Sequence, residues 1–346
     1  MWRTALVLIT TLLLGISPAP VDAATLYVAN NGIDSDTCGA KNAPCRSVSR
    51  AIVNAAVGDT IVVGPGRYGD LNGDGNFGGP GEEAGPAGCG CMIEVNKQLT
   101  LQSSDGAGVT ILDASLAEVT GIVVRADGVT FGGGSGHGFT IVNARHEGLH
   151  VEGNGVTVAS NVAFGNGLSG FVAIAVIGTG NIITDNTDNA AINNANVGIQ
   201  VNGDGTVTGN VASANLEGFR INTAGQVQFT QNVASGNRSH GLSSGVGGQG
   251  VLEIRRNGLL GNRGLGISLT GTATVTDITD NNIFGNGSCG LQNNTGALVT
   301  ASRNFWGAAT GPGSDPADAV CNDASSTTIV EPVATKPFNI NVKIGL

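Results

Sequence analysis

Aromatic side chains are scarce in this chain, at 4% of its 346 residues, and Trp2 falls in an apolar N-terminal segment. Trp306, Tyr27, Tyr68 and ten phenylalanines remain, without an obvious stripe of ring faces on which a ligand could stack. Charge is sparse as well: 16 Lys and Arg stand against 26 Asp and Glu, a net charge of -10. No basic run offsets that field, which excludes a nucleic-acid-binding surface. Beyond residue 16 no stretch approaches the roughly 18 apolar residues of a membrane span. There is no C-x-x-C pair and the six cysteines are dispersed, which disfavours a thiolate metal site. Helical spacing of apolar residues is missing from most of the chain, and 57 glycines depress helix formation further.

The N-terminus carries the parts of a secretory signal peptide over residues 1–23: Arg3, the apolar run Ala5 to Ile16, and small residues closing on Val21-Asp22-Ala23. No cysteine follows the run, so a lipid anchor is not expected. The remaining chain is expected in the periplasm, at the cell surface or secreted. Its even cysteine count suits that oxidising setting. Proximity favours pairing Cys38 with Cys45 and Cys289 with Cys321, while Cys89 and Cys91 make a geometrically tighter pair.

Against these absences stands a repeat. Seven stretches between Gly148 and Trp306 run glycine, alternating strand, second short strand, asparagine, as in GLHVEGNGVTVASNVAFGN from Gly148 and GFRINTAGQVQFTQNVASGN from Gly218. Aligning them puts Asn161, Asn186, Asn210, Asn232, Asn257, Asn281 and Asn304 in one column at separations of 22 to 25 residues, a solenoid period. Strands of about five residues fit two or three times into such a repeat. Alternation turns Leu149 and Val151 inward with His150 and Glu152 outward, and Phe219 and Ile221 inward with Arg220 and Asn222 outward. Coils about 4.8 Å apart allow each asparagine to bond to its counterpart one coil away, forming a ladder. A second column, Asn166, Asn215, Asn237, Asn262 and Asn286, follows five residues later and is interrupted at Ala191 and Ala309.

With this repeat the chain resembles the right-handed parallel β-helix proteins of the pectin lyase-like superfamily, a fold shared with pectate lyases and polygalacturonases. Residues 26–68 and the segment NFWGAATGPG at 304–313 carry the same resemblance. It implies an all-β, single-domain solenoid. Open solenoid ends need covers. Pro44 to Ala56 supplies a short N-terminal capping helix, with Ser47 as N-cap, Val48, Ala51, Ile52, Ala55 and Ala56 on one face, and Gly58 ending it. The expected organisation is cap and first coil at 24–68, an insertion loop at 69–91, stacked coils at 92–307 and a closing segment at 308–346, with Ile340 to Ile344 strand-like.

Several residue groups invite chemistry. Asp70-Leu71-Asn72-Gly73-Asp74-Gly75 reproduces the first half of a calcium loop, with Gly81 at the twelfth position and Glu82 beside it. Calcium bound by Asp70, Asn72, Asp74 and Glu82 would order the loop. A polygalacturonase-like set is Asn186-Thr187-Asp188, Ser239 to Ser243 and Arg255. It lacks the paired carboxylates of inverting hydrolysis, and Asp188 and His240 are expected in turns. A lyase needs a base and a cation that holds a uronate carboxylate. The outward column His150, Val172, Gln200, Arg220, Ser243, Ser268 and Gln292 places its histidine and arginine three coils apart, about 14 Å.

Arg125, Asp127, His137, Arg145, His146, Glu147, His150 and Glu152 form the densest titratable group. HEGLH within it is no zincin helix, because its glycine and the surrounding alternation argue against a helix. The G-x-S-x-G at Gly241 to Gly245 lacks the strand-to-helix turn that would give it meaning. Candidate catalytic residues are therefore Arg125, His146, His150 and Arg220. The expected function is contact with polysaccharide at the cell surface or outside the cell, by binding or as a structural module. The alternative is a polysaccharide lyase or glycoside hydrolase.

Overall fold

The computed structural model describes residues 22–340 apart from 75, 78, 116, 118, 135, 168–172, 178–179, 185–186, 190–195, 223–224, 247–250 and 272–273. Most of the segment expected to be a signal peptide, Val172, Asn186, Ala191 and the run after Ile340 lie outside the described residues. The chain winds into a parallel β-solenoid of three long sheets. The first has ten strands from Thr25–Val28 to Thr274–Thr279, the second ten from Cys91–Val95 to Ala319–Asn322, and the third nine from Gly66–Gly69 to Asn282–Phe284. One coil shows the order: Leu149–Val151 in the second sheet, Thr157–Ala159 in the first, Val162–Phe164 in the third. Each strand pairs in parallel with its equivalents in the adjacent coils, Leu149 opposite Ile122 on one side and Ile174 on the other.

Alternation fills the interior. Ile122, Leu149, Ile174, Ile199, Phe219, Leu242, Ile267 and Leu291 form one inward column of the second sheet, and all are buried. Each such side chain contributes about 1.5 to 3 kcal/mol. Phe219 packs edge-on against Phe229 of the first sheet, with centroids 4.9 Å apart.

The corner between the first and third sheets is built from one residue in the left-handed region followed by the ladder asparagine. Ser160, Gln231, Arg256, Asp280 and Arg303 take φ values of 55 to 59° there. This turn points the next side chain into the stack. Asn257 accepts from Asn232 Nδ2 at 3.2 Å and donates to Phe229 O at 2.9 Å and Asn281 Oδ1 at 3.0 Å. The same pattern links Asn210, Asn232, Asn281 and Asn304. The second ladder runs Asn237, Asn262, Asn286 and then Asp318, so the interruption expected at Ala309 is corrected. Residues 306–317 loop out before the chain returns to the ladder. Asp318 ends it suitably, because a carboxylate accepts from Asn286 and brings no amide hydrogens needing a further partner.

The cap is the helix Val48–Asn54, with Ser47 accepting from Arg50 N at 3.2 Å. Glu83, fully buried, accepts from Val48 N and Ser49 N at 2.7 Å each and from Ser49 Oγ at 2.6 Å. Lys97 Nζ donates to Ile52 O, Val53 O and Ala55 O at the other end. An anion at the N-terminus and a cation at the C-terminus both suit the helix dipole. The disulfides are Cys38–Cys45, Cys89–Cys91 and Cys289–Cys321. At the far end, strands Leu298–Thr300 and Thr327–Ile329 pair over the stack, and Phe338 exchanges two hydrogen bonds with the Asn282 side chain.

Candidate functional site

The second sheet presents its outward residues in rows. Register aligns Glu94, Val123, His150, Ala175, Gln200, Arg220, Ser243, Ser268 and Gln292 in the middle row. Ala175 thus holds the place expected for Val172, because the connection from Phe164 to Ile174 is longer than the corresponding ones in later coils. Ala175 and Val197 form a small buried apolar pair apart from the main core. That pair divides the face into two fields.

The N-terminal field is an ionic cluster. Arg125 Nε donates to Glu94 Oε1 at 2.6 Å, and its Nη1 pairs with Glu152. These carboxylates hold the guanidinium pKa above its ordinary value, the Glu94 hydrogen bond contributing most. His150 lies between Glu147, 3.7 Å from Nδ1, and Glu152, 3.6 Å from Nε2. Thr120 Oγ1 donates to Glu147 at 2.9 Å. Burial pushes the Glu147 carboxyl up, but His150, a backbone N–H and Thr120 outweigh it, and the pKa falls below the usual range. The structure therefore brings Arg125 and His150 into one cluster. His146 sits in the bend between strands Thr140–Val142 and Leu149–Val151, its N–H on Val119 O, and Arg220 lies three strands beyond His150.

The C-terminal field spans five strands, from Val197–Val201 to Cys289–Asn294. Its centre is Glu217, Arg220, His240 and Ser243. Arg220 grips Glu217 through two contacts, Nε to Oε2 at 3.1 Å and Nη2 to Oε1 at 2.9 Å, and Ser243 Oγ donates to Oε2 at 2.7 Å. Burial raises the Glu217 carboxyl pKa, yet Arg220 and Ser243 more than reverse this, holding it low. His240 Nδ1 accepts from Leu265 N at 3.3 Å, which puts the proton of the neutral ring on Nε2. Burial pushes its pKa down, so the ring is uncharged at neutral pH. Around this centre are amides and hydroxyls: Gln200, Asn202, Asn222, Ser268, Thr270 and Gln292. Gln200 and Asn222 both donate to Asn202 Oδ1, at 3.0 and 3.3 Å.

This field donates and accepts hydrogen bonds, and its centre holds its own charges. Both oxygens of Glu217 and two nitrogens of Arg220 are engaged, and His240 Nδ1 already accepts a proton donor. Glu217 was not singled out from the sequence. Strict alternation gives Glu217 the inward parity of Phe219, two residues on, so the sequence pattern points it away from Arg220, whereas the structure binds it to Arg220 at the start of the strand.

The remaining sequence candidates do not converge. Asp188, expected in a turn, lies in the third-sheet strand Thr187–Asn189 opposite Ala212, because the stack extends pairing to that coil. Arg255 lies in the first sheet, bound to Glu253 and Asp277. His240 precedes a second-sheet strand, so these three residues fall on three different sheets. Gly241 to Gly245 runs into strand Leu242–Val246, without a helix. In the acidic loop, Asp70 accepts from Gly73 N, Asn72 from Asp74 N and Asp74 from Asn76 N, a chain of local turns. Glu82 accepts from Asn72 N at 3.2 Å and Gly79 N at 2.8 Å. These are hard oxygen donors suited to calcium, but Asp70, Asp74 and Glu82 do not bring three carboxylates within 4.8 Å of one another. Trp306 and Tyr68 are fully buried and cannot serve as stacking platforms.

No curated protein sequence matches the chain. Its fold is similar to that of the pectate lyase Pel9A, with a TM-score of 0.55 at 19% identity over 90% of this chain and 78% of that one. It is similar also to a rhamnogalacturonan lyase, with a TM-score of 0.58 at 12% identity over 92% and 90%. At such identities the likeness is one of fold. Residues 97–283, more than half of the chain, match the family described as the right handed beta helix region, and the chain belongs to that family.

Proposed function

We propose that the protein is exported and binds polysaccharide along the outward face of the second sheet, in the field from Gln200 to Gln292, without cleaving it. The observation that carries this reading is the field itself: five strands of amides and hydroxyls around a centre whose carboxylate and guanidinium hold each other and whose histidine accepts a backbone N–H. Four spacings of about 4.8 Å make a surface of roughly 19 Å, long enough for several sugar units in line. Proton abstraction or general acid catalysis needs a group free to exchange a proton with the substrate, and the centre of the field offers its histidine as an uncharged donor. The names of the fold neighbours, a pectate lyase and a rhamnogalacturonan lyase, are consistent with a polysaccharide as ligand.

The test is incubation of the exported chain with soluble neutral and acidic polysaccharides, scoring binding, reducing ends and unsaturated products together. Binding without products is the expected outcome. Release of either product assigns the fold to catalysis and overturns the reading.

Calcium enters this proposal as a loop-ordering ion at Asp70, Asn72, Asp74 and Glu82, remote from the field in sequence. Millimolar calcium is expected to raise the melting temperature of the protein and not that of Asp74→Ala. An unchanged melting temperature in the unaltered protein would rule this out.

A further inference from the structure

Resting on the polysaccharide reading above, we propose that the Gln200-to-Gln292 field selects an uncharged, hydroxyl-rich glycan and rejects uronate polymers, with Glu217 as the residue that sets this preference.

The argument begins with what a uronate needs. Its carboxylate is recognised by a guanidinium that can turn two N–H groups toward it, or by a bound cation. Arg220 is the only cationic side chain among the residues of the field named above, and its Nε and Nη2 both face Glu217. The Glu217 side chain is 14% exposed and receives a third hydrogen bond from Ser243. A uronate that captured Arg220 would leave this half-buried carboxylate without its partner, which is costly. Arg125, in the neighbouring field, is likewise held by Glu94 and Glu152. The whole chain adds a repulsive field of -10 against a polyanion.

An uncharged sugar meets none of these penalties. Its hydroxyls both donate and accept, which matches side-chain amides, the exposed Thr270 hydroxyl and the His240 Nε2–H. Glu217 therefore acts as a mask: it cancels Arg220 internally and keeps the field electrically neutral. It is a specificity-determining residue whose effect passes through Arg220.

The experiment compares affinity for galactomannan and hydroxyethyl cellulose with affinity for polygalacturonate at low ionic strength, in the unaltered protein and in Glu217→Gln. The unaltered protein is expected to favour a neutral polymer by about tenfold or more, roughly one charge-pair energy. Glu217→Gln exposes Arg220 and is expected to raise polygalacturonate affinity several-fold while weakening the neutral polymers. Ser243→Ala, which removes one hydrogen bond and no charge, should narrow the preference in the same direction by less, and it keeps the test open if the first variant does not fold. A preference for polygalacturonate in the unaltered protein overturns this inference and leaves the polysaccharide reading standing. Absence of binding to every polymer overturns both. Unchanged polygalacturonate affinity in folded Glu217→Gln overturns the masking role.

Discussion

Asn257 illustrates what one ladder residue supports. Its carbonyl oxygen takes the Asn232 N–H and amide, and its own amide serves Phe229 O and Asn281 Oδ1. Replacement by Ala would strand several buried polar groups, each worth about 1 to 3 kcal/mol. Asn257→Ala is therefore expected to lose at least about 3 kcal/mol, read as a large fall in the denaturant midpoint. A loss below about 1 kcal/mol would contradict the ladder's role. Glu217 supports a pH prediction. Its folded pKa is depressed, so the stabilisation is present above the unfolded value and is lost as pH falls through the folded one. Binding of neutral glycan should therefore hold from neutral pH down to about 5 and weaken only below the ordinary glutamate range near 4. A midpoint near 6 to 7 would point to a histidine instead. The ladder was legible in the sequence because identical side chains recur at one period. Glu217 was not, because it shares the inward parity of Phe219, and the Ser243 hydroxyl that helps Arg220 hold it comes from the next coil.

At the scale of elements, the capping helix shows both what a sequence declares and what it conceals. Ser47 and the apolar face of Val48, Ala51 and Ile52 announce the helix. Glu83 and Lys97, which close its two ends from 34 and more residues away, do not. Local signals mark a helix boundary, whereas these partners meet it only once the coils stack. The acidic insertion is thus tied to the cap by one buried carboxylate. Glu83→Ala is expected to destabilise the protein by about 2 to 4 kcal/mol, the cost of leaving the Val48 and Ser49 donors unpaired. It should also open residues 70–90 to limited proteolysis ahead of the coils. Equal protease resistance in the variant and the unaltered protein would show that the loop is held by other contacts.

For the whole molecule, period and alternation were enough to specify a parallel solenoid, because every coil repeats the same inward column and the same corner. The closing segment was less legible: once the repeat ends, the return to Asp318 and the clip of Phe338 on Asn282 depend on contacts that carry no periodic signature. The site was legible only as a row of outward residues, since the local pair that neutralises it, Glu217 with Arg220, departs from the alternation of the strand. The central claim is that the second-sheet field holds a polysaccharide chain and leaves it intact. Its most direct test is the affinity of the bound polymer for Gln292→Trp, which blocks the field, and for Ser213→Trp on the third sheet, with soluble sugar products measured in the same samples. The account predicts at least a tenfold loss for Gln292→Trp, about one hydrogen-bonded contact set, unchanged affinity for Ser213→Trp, and no products. Unchanged binding by folded Gln292→Trp, or the appearance of reducing ends or unsaturated sugars, would contradict it.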